Sequence, residues 1–297
     1  MTTTWLFRPH IKTKHNPKIR GQIFSISDSH LILRNPWVTD SVFMGKLYTA
    51  MTVAFGILVY PDIASESYRN ILTSSMHSLA QYILVPFMFT PFLAYRIYWI
   101  KKLSNFHFNR ITQKVYYRRI NKIIIFDWKT LGGGVFSRTE FGGASASTQY
   151  ALAFAPPRDD GTFHQSDCLW VDSNEPTDAE VAHVAEVWEY LRLFMDKGPD
   201  QLPPPGEPNW WHKPLHAICL TPKEAWQHYA PWRTGEPGEM QGKKSWQLPF
   251  WAILFPYNLT VALVWYVICR LFNVRAATPP AEAFEEGAVA AIKRTHK

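Results

Sequence analysis

The sequence is short of the residues that most often announce a chemistry. Three cysteines, Cys168, Cys219 and Cys269, stand far apart and make no C-x-x-C pair, a pattern that offers neither a disulfide framework nor a cysteine zinc site. They read as packing residues. The 11 histidines are scattered, with no H-E-x-x-H and no pair at metal spacing. The first 20 residues are basic and polar, without the apolar core of a cleavable signal peptide. Mean hydropathy is only −0.16, a value that by itself suggests a soluble chain.

Glycine-rich and nucleophile motifs are also incomplete. Gly132-Gly133-Gly134 follows a strand pattern but has no G-x-G-x-x-G spacing, and reads as a hairpin turn. Gly143-Ala-Ser145-Ala-Ser147 lacks the last glycine of a nucleophile elbow and reads as a loop. Gly242-Lys243-Lys244-Ser245 has no partner glycine upstream, so membrane anchoring is the better account of its lysines. His164, Ser166 and Asp167 are triad residue types, but adjacency in a turn is not triad geometry. His183 is expected on a solvated helix flank. No catalytic residue, cofactor site or metal site is predicted, and the chain reads as a non-enzyme with no small-molecule substrate.

What the chain has in quantity is aromatic and uncharged sequence. Aromatics make up 15%, with 13 Trp and 13 Tyr, the composition of a lipid boundary. Fifteen uncharged residues separate Lys46 from Asp62, 26 run from Asn70 to Tyr95, and 25 from Ser245 to Cys269. A bilayer core of about 30 Å needs about 20 apolar residues in a helix, so three spans are expected, at 42–62, 79–100 and 247–272. Residues 1–46 carry seven Lys/Arg against two acids, and residues 96–129 carry nine against Asp127 alone. The positive-inside rule puts both in the cytoplasm. The third run either crosses once, which would place the tail 273–297 outside, or turns back at Pro256-Tyr-Asn258 as a re-entrant hairpin. The +7 charge therefore points to membrane lipid and not to nucleic acid.

Between the second and third runs the periodicity changes. FHFNR, ITQKVYYRR, KIIIFDWKTL, GVFSRTEF, TQYALAFAPP and CLWVDS are short runs of β-branched and aromatic residues parted by turn signals. A helix is expected at 177–197, opened by the capping box Thr177-Asp-Ala-Glu180, stopped by Gly198-Pro199, and packed through Val181, Val184, Trp188, Leu191 and Met195. GQIFSISDSHLILRNP (21–36) reads as a hairpin within the N-terminal segment 1–41. It and 103–198 are expected to form one cytoplasmic antiparallel sheet, with the transmembrane hairpin inserted between early strands. The expected class is thus an α+β membrane protein, with a pleckstrin-homology-like sheet domain, one closing helix and a third span at the C-terminal end.

Residues 199–246 form a Pro/Trp-rich linker. PDQLPPPGEPNWWHKP is expected to be extended, and Thr221-Pro222-Lys-Glu224 is a second capping box that starts a short helix. Two groups are candidates for a partner or a lipid surface. One is basic: Arg110, Lys114, Arg118, Arg119 and Lys122. The other is aromatic: Trp210, Trp211, Trp226 and Trp232, read either as an interfacial segment or as a strap over the sheet.

The run Phe108-Asn-Arg110-Ile-Thr-Gln-Lys114-Val115-Tyr116, followed by Phe126-Asp127-Trp128, resembles a motif of uncharacterised bacterial inner-membrane proteins in which a strand pair, a membrane hairpin and these strands follow in order. The resemblance covers residues 20–195. Members look similar to proteins associated with type VI secretion effectors. It implies an immunity protein of the inner membrane whose partner is a cognate toxin, neutralised by occlusion. The rival expectation is an envelope protein that senses lipid or acts as a scaffold, binding anionic headgroups through its basic strands.

Overall fold

A computed structural model describes residues 2–70, 88–142, 145–172, 181–207 and 209–284. The chain divides into two compact units, one of residues 1–38, 102–208 and 276–297, the other of residues 39–101 and 209–275.

The first is the sheet unit. It is built of two antiparallel sheets and not the single sheet expected. The four-stranded sheet has the order β1 (Thr2–Phe7), β7 (Gly132–Gly142), β8 (Ser145–Ala155), β9 (Leu169–Asp172). The five-stranded sheet runs β2 (Ile23–Ile26), β3 (His30–Leu33), β4 (Phe106–Asn109), β5 (Lys114–Arg119), β6 (Lys122–Asp127). Phe106, Phe108 and Phe126 from the five-stranded sheet meet Phe154 from β8, with ring centroids 5.5, 5.7 and 6.5 Å apart. Aromatic rings from both sheets thus share one core, and Trp128 continues it to Trp188 of the closing helix α3 (Val181–Lys197), 5.2 Å away.

The insertion within a sheet is present. β3 pairs with β4 from His30↔Asn109 to Leu33↔Phe106, although more than seventy residues separate them in sequence. Asn35 closes the gap at the base of the insert. Its side chain accepts from Trp37 N at 3.0 Å as the first helix begins, and donates to Ser104 O at 2.9 Å where the insert ends. Such an N-cap with Pro36 at the first helical position is a strong helix start. The two ends of the insert are therefore sewn together by one buried amide.

In α3 the predicted face is largely right: Val184, Trp188, Leu191 and Met195 are at most 2% exposed, whereas Val181 is 47% exposed. Gly198, at φ 84°, closes the helix by donating its N–H to Phe194 O. The predicted capping box at 177–180 lies outside the described residues. His183 departs from expectation. It is buried, with Nδ1 2.9 Å from Glu186 Oε2.

The glycine triplet also departs from it. Gly132, Gly133 and Gly134 are not a turn but the first residues of β7, paired with Ala155, Phe154 and Ala153. A Cβ on Gly133 would stand 2.6 Å from the Trp188 ring, and one on Gly132 2.4 Å from Phe163. Large rings lie flat on this strand end because no side chain is there.

The second is the helical unit. It holds most of α1 (Pro36–Asn70), α2 (Thr90–Lys102), α4 (Pro222–Tyr229) and α5 (Leu248–Leu271). Among the described residues one stretch, Ser245–Leu271, is long and apolar enough to cross a membrane. The N-terminal pair of spans is not reproduced. The first, 42–62, is the middle of an unbroken 35-residue helix. Much of the second lies outside the described residues, and α2, at 13 residues, is too short to cross by itself.

The third expected span, 247–272, coincides with α5. Before α5, Gly206 N donates to Ile19 O at 2.9 Å, and after it Ala277 N donates to Leu103 O at 2.9 Å and Asn109 Nδ2 to Ala283 O at 3.2 Å. Both flanks thus belong to the sheet unit, and the described tail to Phe284 packs on β3 and β4 through contacts of Phe284 with His30 and His107.

Candidate functional site

The segment 209–247 belongs to the helical unit. It runs beside α5. Trp211 lies 5.8 Å from Trp251, Trp226 and Trp232 lie 5.0 and 5.6 Å from Phe255, and Trp265 Nε1 donates to Ile218 O at 2.7 Å. These contacts follow α5 over 14 residues of its length, about 21 Å at 1.5 Å per residue.

Its interior is ionic, an unusual choice that demands complete pairing. Trp210, 2% exposed, stacks on His228 at 4.2 Å and donates Nε1–H to Glu236 at 2.7 Å. His228 Nδ1 lies 3.0 Å from the same carboxylate, and Lys213 also donates to it. Burial alone would raise the Glu236 carboxyl, but bonds from Lys213, Trp210 and His228 outweigh it and hold the group below its ordinary value. Burial brings the His228 imidazole down to about 4, against the pull of Glu236. The imidazole is therefore neutral near pH 7, and its contact with Glu236 is a hydrogen bond, not an ion pair.

Lys243 is the second hub. Fully buried, it donates to Glu239 Oε1 at 2.7 Å, Gln227 O at 2.8 Å and Trp232 O at 3.2 Å. Burial would raise Glu239, yet Lys243 and the backbone of Thr234 and Gly235 take it to about 2. Gly242 lies under the Trp210 ring, where a Cβ would come within 1.9 Å of it. The Gly242-Lys243 pair is thus the centre of a folded knot and not a membrane anchor. The capping box at 221 is present with both reciprocal bonds.

A pH dependence follows. The folded-state value of His228 lies below the 6.5 of a free imidazole, so the unfolded chain binds the extra proton between the two. Stability from this group is complete above about 6.5 and declines toward about 4, by on the order of 3 kcal/mol. His107, also brought to about 4 by burial and by His30, acts in the same direction in the sheet unit. Thermal unfolding should shift down on acidification across that window, and His228→Gln should remove part of the slope.

The four candidate tryptophans separate into two kinds: Trp210 is core, whereas Trp211, Trp226 and Trp232 are 47, 45 and 49% exposed. The five basic candidates do not form one patch. Arg110 and Lys114 lie at one end of β5. The Arg110 guanidinium packs against Gly198, where a Cβ would meet Nη1 at 2.4 Å, and Lys114 pairs in register with Asp127. Arg118, Arg119 and Lys122 lie at the other end, and Arg118 reaches Thr278 O at 3.5 Å. Arg119 and Lys122 face each other across the ladder, joined through Ile120 at φ 58°, a left-handed conformation rare for a β-branched residue.

The Ser166 hydroxyl contacts both His164 Nδ1 at 3.3 Å and Asp167 Oδ1 at 3.0 Å, while Asp167 is held by Arg158 at 2.8 Å. In a relay the imidazole stands between hydroxyl and carboxylate; here the hydroxyl does, at an exposed loop. Among the described residues no group of three metal-ligating side chains converges.

Sequence reasoning missed β1, although Thr2–Phe7 carries the β-branched and aromatic residues of a strand. It also missed the meeting of Cys219 with Cys269, which no spacing rule encodes.

Two β-sheets interrupted by a helical insert, with an ionic and aromatic segment folded along a C-terminal apolar helix, define a two-unit α+β protein. The sequence profile of a family of unknown function, DUF6708, matches residues 82–278, and the chain belongs to that family. No curated protein and no solved structure matches the chain.

Proposed function

We propose that this protein is a non-catalytic binding module of the bacterial inner membrane, held at the bilayer by its helical unit and binding a protein partner through its sheets. The observation that carries the reading is the outer stripe of α5. Phe250, Ile253, Val264, Val267 and Leu271 are 62, 75, 37, 51 and 75% exposed, and their spacing places them on the face opposite Trp251, Trp265 and Cys269. Phe43, Leu47 and Met51 continue the exposed apolar surface on α1 at four-residue steps. A surface of this kind marks a lipid or protein contact. In this reading the exposed apolar faces of α1 and α5 meet the bilayer.

Partner binding is supported by β6, the last strand of its sheet, where Ile123 and Ile125 share a face and are 51 and 43% exposed. Edge strands of this kind accept an added strand from another chain. The partner class that the resemblance implies is a cognate toxin of type VI secretion, and the module would neutralise it by covering its working surface. The pleckstrin-homology-like description of the sheet unit belongs to the same proposal, supported by the two sheets closed by α3.

The test is co-expression with the product of the neighbouring gene. The reading expects co-purification and rescue of growth; neither binding nor rescue would sink it. The headgroup-binding alternative is favoured by Arg119 opposite Lys122, a like-charge pair that an anion would relieve. Neutralising Arg118, Arg119 and Lys122 together should leave rescue intact under the first reading. Under the second it should abolish binding of the full chain to anionic vesicles.

A further inference from the structure

The loop leading to Cys219 is fastened to the helices at three points. Lys46 Nζ donates to Ala217 O at 2.9 Å and also to Pro214 O, and Trp265 Nε1 donates to Ile218 O at 2.7 Å. Ile218 immediately precedes Cys219, and Cys269 stands one helical turn beyond Trp265 on the same buried face of α5. The fastening therefore brings Cys219 to the turn of α5 that carries Cys269. Cys219 remains half-buried, open to a small reagent, while Cys269 is buried behind it. The Lys46 ammonium and the Arg270 guanidinium supply positive charge to the pair.

We propose that Cys219 and Cys269 are a reversible dithiol–disulfide pair, with Cys219 the reactive sulfur and Cys269 the resolving one. The hydrogen bond from Cys269, opposed by burial and assisted by Lys46 and Arg270, lowers the Cys219 thiol to about 6, so that near neutral pH it is largely the nucleophilic thiolate. The oxidant class is a hydroperoxide. The Cys219 thiolate attacks the peroxide oxygen; the O–O bond breaks, and the departing oxygen takes a proton and leaves as the alcohol or as water. Cys219 is then a sulfenic acid. The Cys269 sulfur attacks it, the S–O bond breaks, and water leaves with the thiol proton. In sum two thiols give up two electrons and two protons to the peroxide, and a small dithiol reductant reverses the change. The new bond ties the segment 209–247 covalently to α5, across the line that otherwise rests on Trp265, Lys46 and the tryptophan contacts. This inference does not depend on the membrane or toxin reading.

The experiment is peroxide treatment of the purified full chain, alkylation under denaturing conditions, and mass analysis. The proposal expects loss of two hydrogens, a cross-linked peptide pair containing Cys219 and Cys269, and reversal by dithiothreitol. Cys168, in the sheet unit, is expected to stay free. Cys269→Ser should stop the reaction at a dimedone-trappable sulfenic acid on Cys219. Should that variant misfold, the alkylation rate of Cys219 in the wild-type chain still decides the matter, with half-maximal reactivity expected near pH 6. Free thiols at both positions after treatment, a bridge involving Cys168 or a second chain, or a Cys219 midpoint near the ordinary value of about 8.5 would overturn it.

Discussion

Replacing Lys243 by methionine should cost the helical unit about 3–5 kcal/mol, the range found when one partner of a buried ion pair is removed. Methionine keeps the apolar stem, so the loss isolates the charge. The side chain that disappears is wholly buried and serves Glu239, Gln227 O and Trp232 O together. Glu239 would keep its bonds from Thr234 and Gly235 but lose its counter-charge, and two carbonyls would be left without a donor. Denaturant unfolding followed by tryptophan emission reports on this unit, since Trp210, Trp226 and Trp232 surround the knot. A cycle with Glu239→Gln should be non-additive, the double variant losing less than the sum of the two singles. A change within about 0.5 kcal/mol, the usual range for surface positions, would mean that the lysine is not buried as described.

The second large effect concerns location. Ile253→Asp combined with Val267→Asp places two carboxylates on the outer stripe of α5, where the native side chains are 75 and 51% exposed. Because neither is packed inside the unit, folding should be little affected. An aspartate costs about 3 kcal/mol at the middle of a bilayer and less near its surface, so membrane partition should fall on the order of 100-fold. The matched pair Trp251→Ala and Trp265→Ala, on the buried face, should instead destabilise the unit while leaving the stripe apolar. Unchanged partition of the aspartate variant, with its fold intact, would remove α5 from the membrane contact.

How much of this was legible depends on how far each signal reaches along the chain. The hairpin at 21–36, the capping box at Thr221, the stop at Gly198 and the face of α3 rest on neighbours within a few residues, and all are present in the structure. The insertion of a helical segment into a sheet was also legible, because strand-forming runs stand on both sides of it. What failed was whatever depends on distant partners. Nothing near Gly133 says that the Trp188 ring will lie on it, and nothing near His183 says that it will be buried. Lys243 and Lys244 look alike in sequence; Glu239, the carbonyls of Gln227 and Trp232, and the Trp210 ring separate them, one buried and one exposed. The four tryptophans are alike in the same way, and only the register of 209–247 on α5 assigns Trp210 to the core. The path of the tail was not legible either: an apolar run shows length and composition, but not that the residues following it return to the sheet unit.

The measurement that bears most directly on the account is fractionation of cells expressing the full-length chain, followed by extraction with and without detergent. The account predicts recovery in the membrane fraction and release only when detergent covers the exposed stripes of α1 and α5. A stable, monodisperse monomer in detergent-free buffer would contradict it.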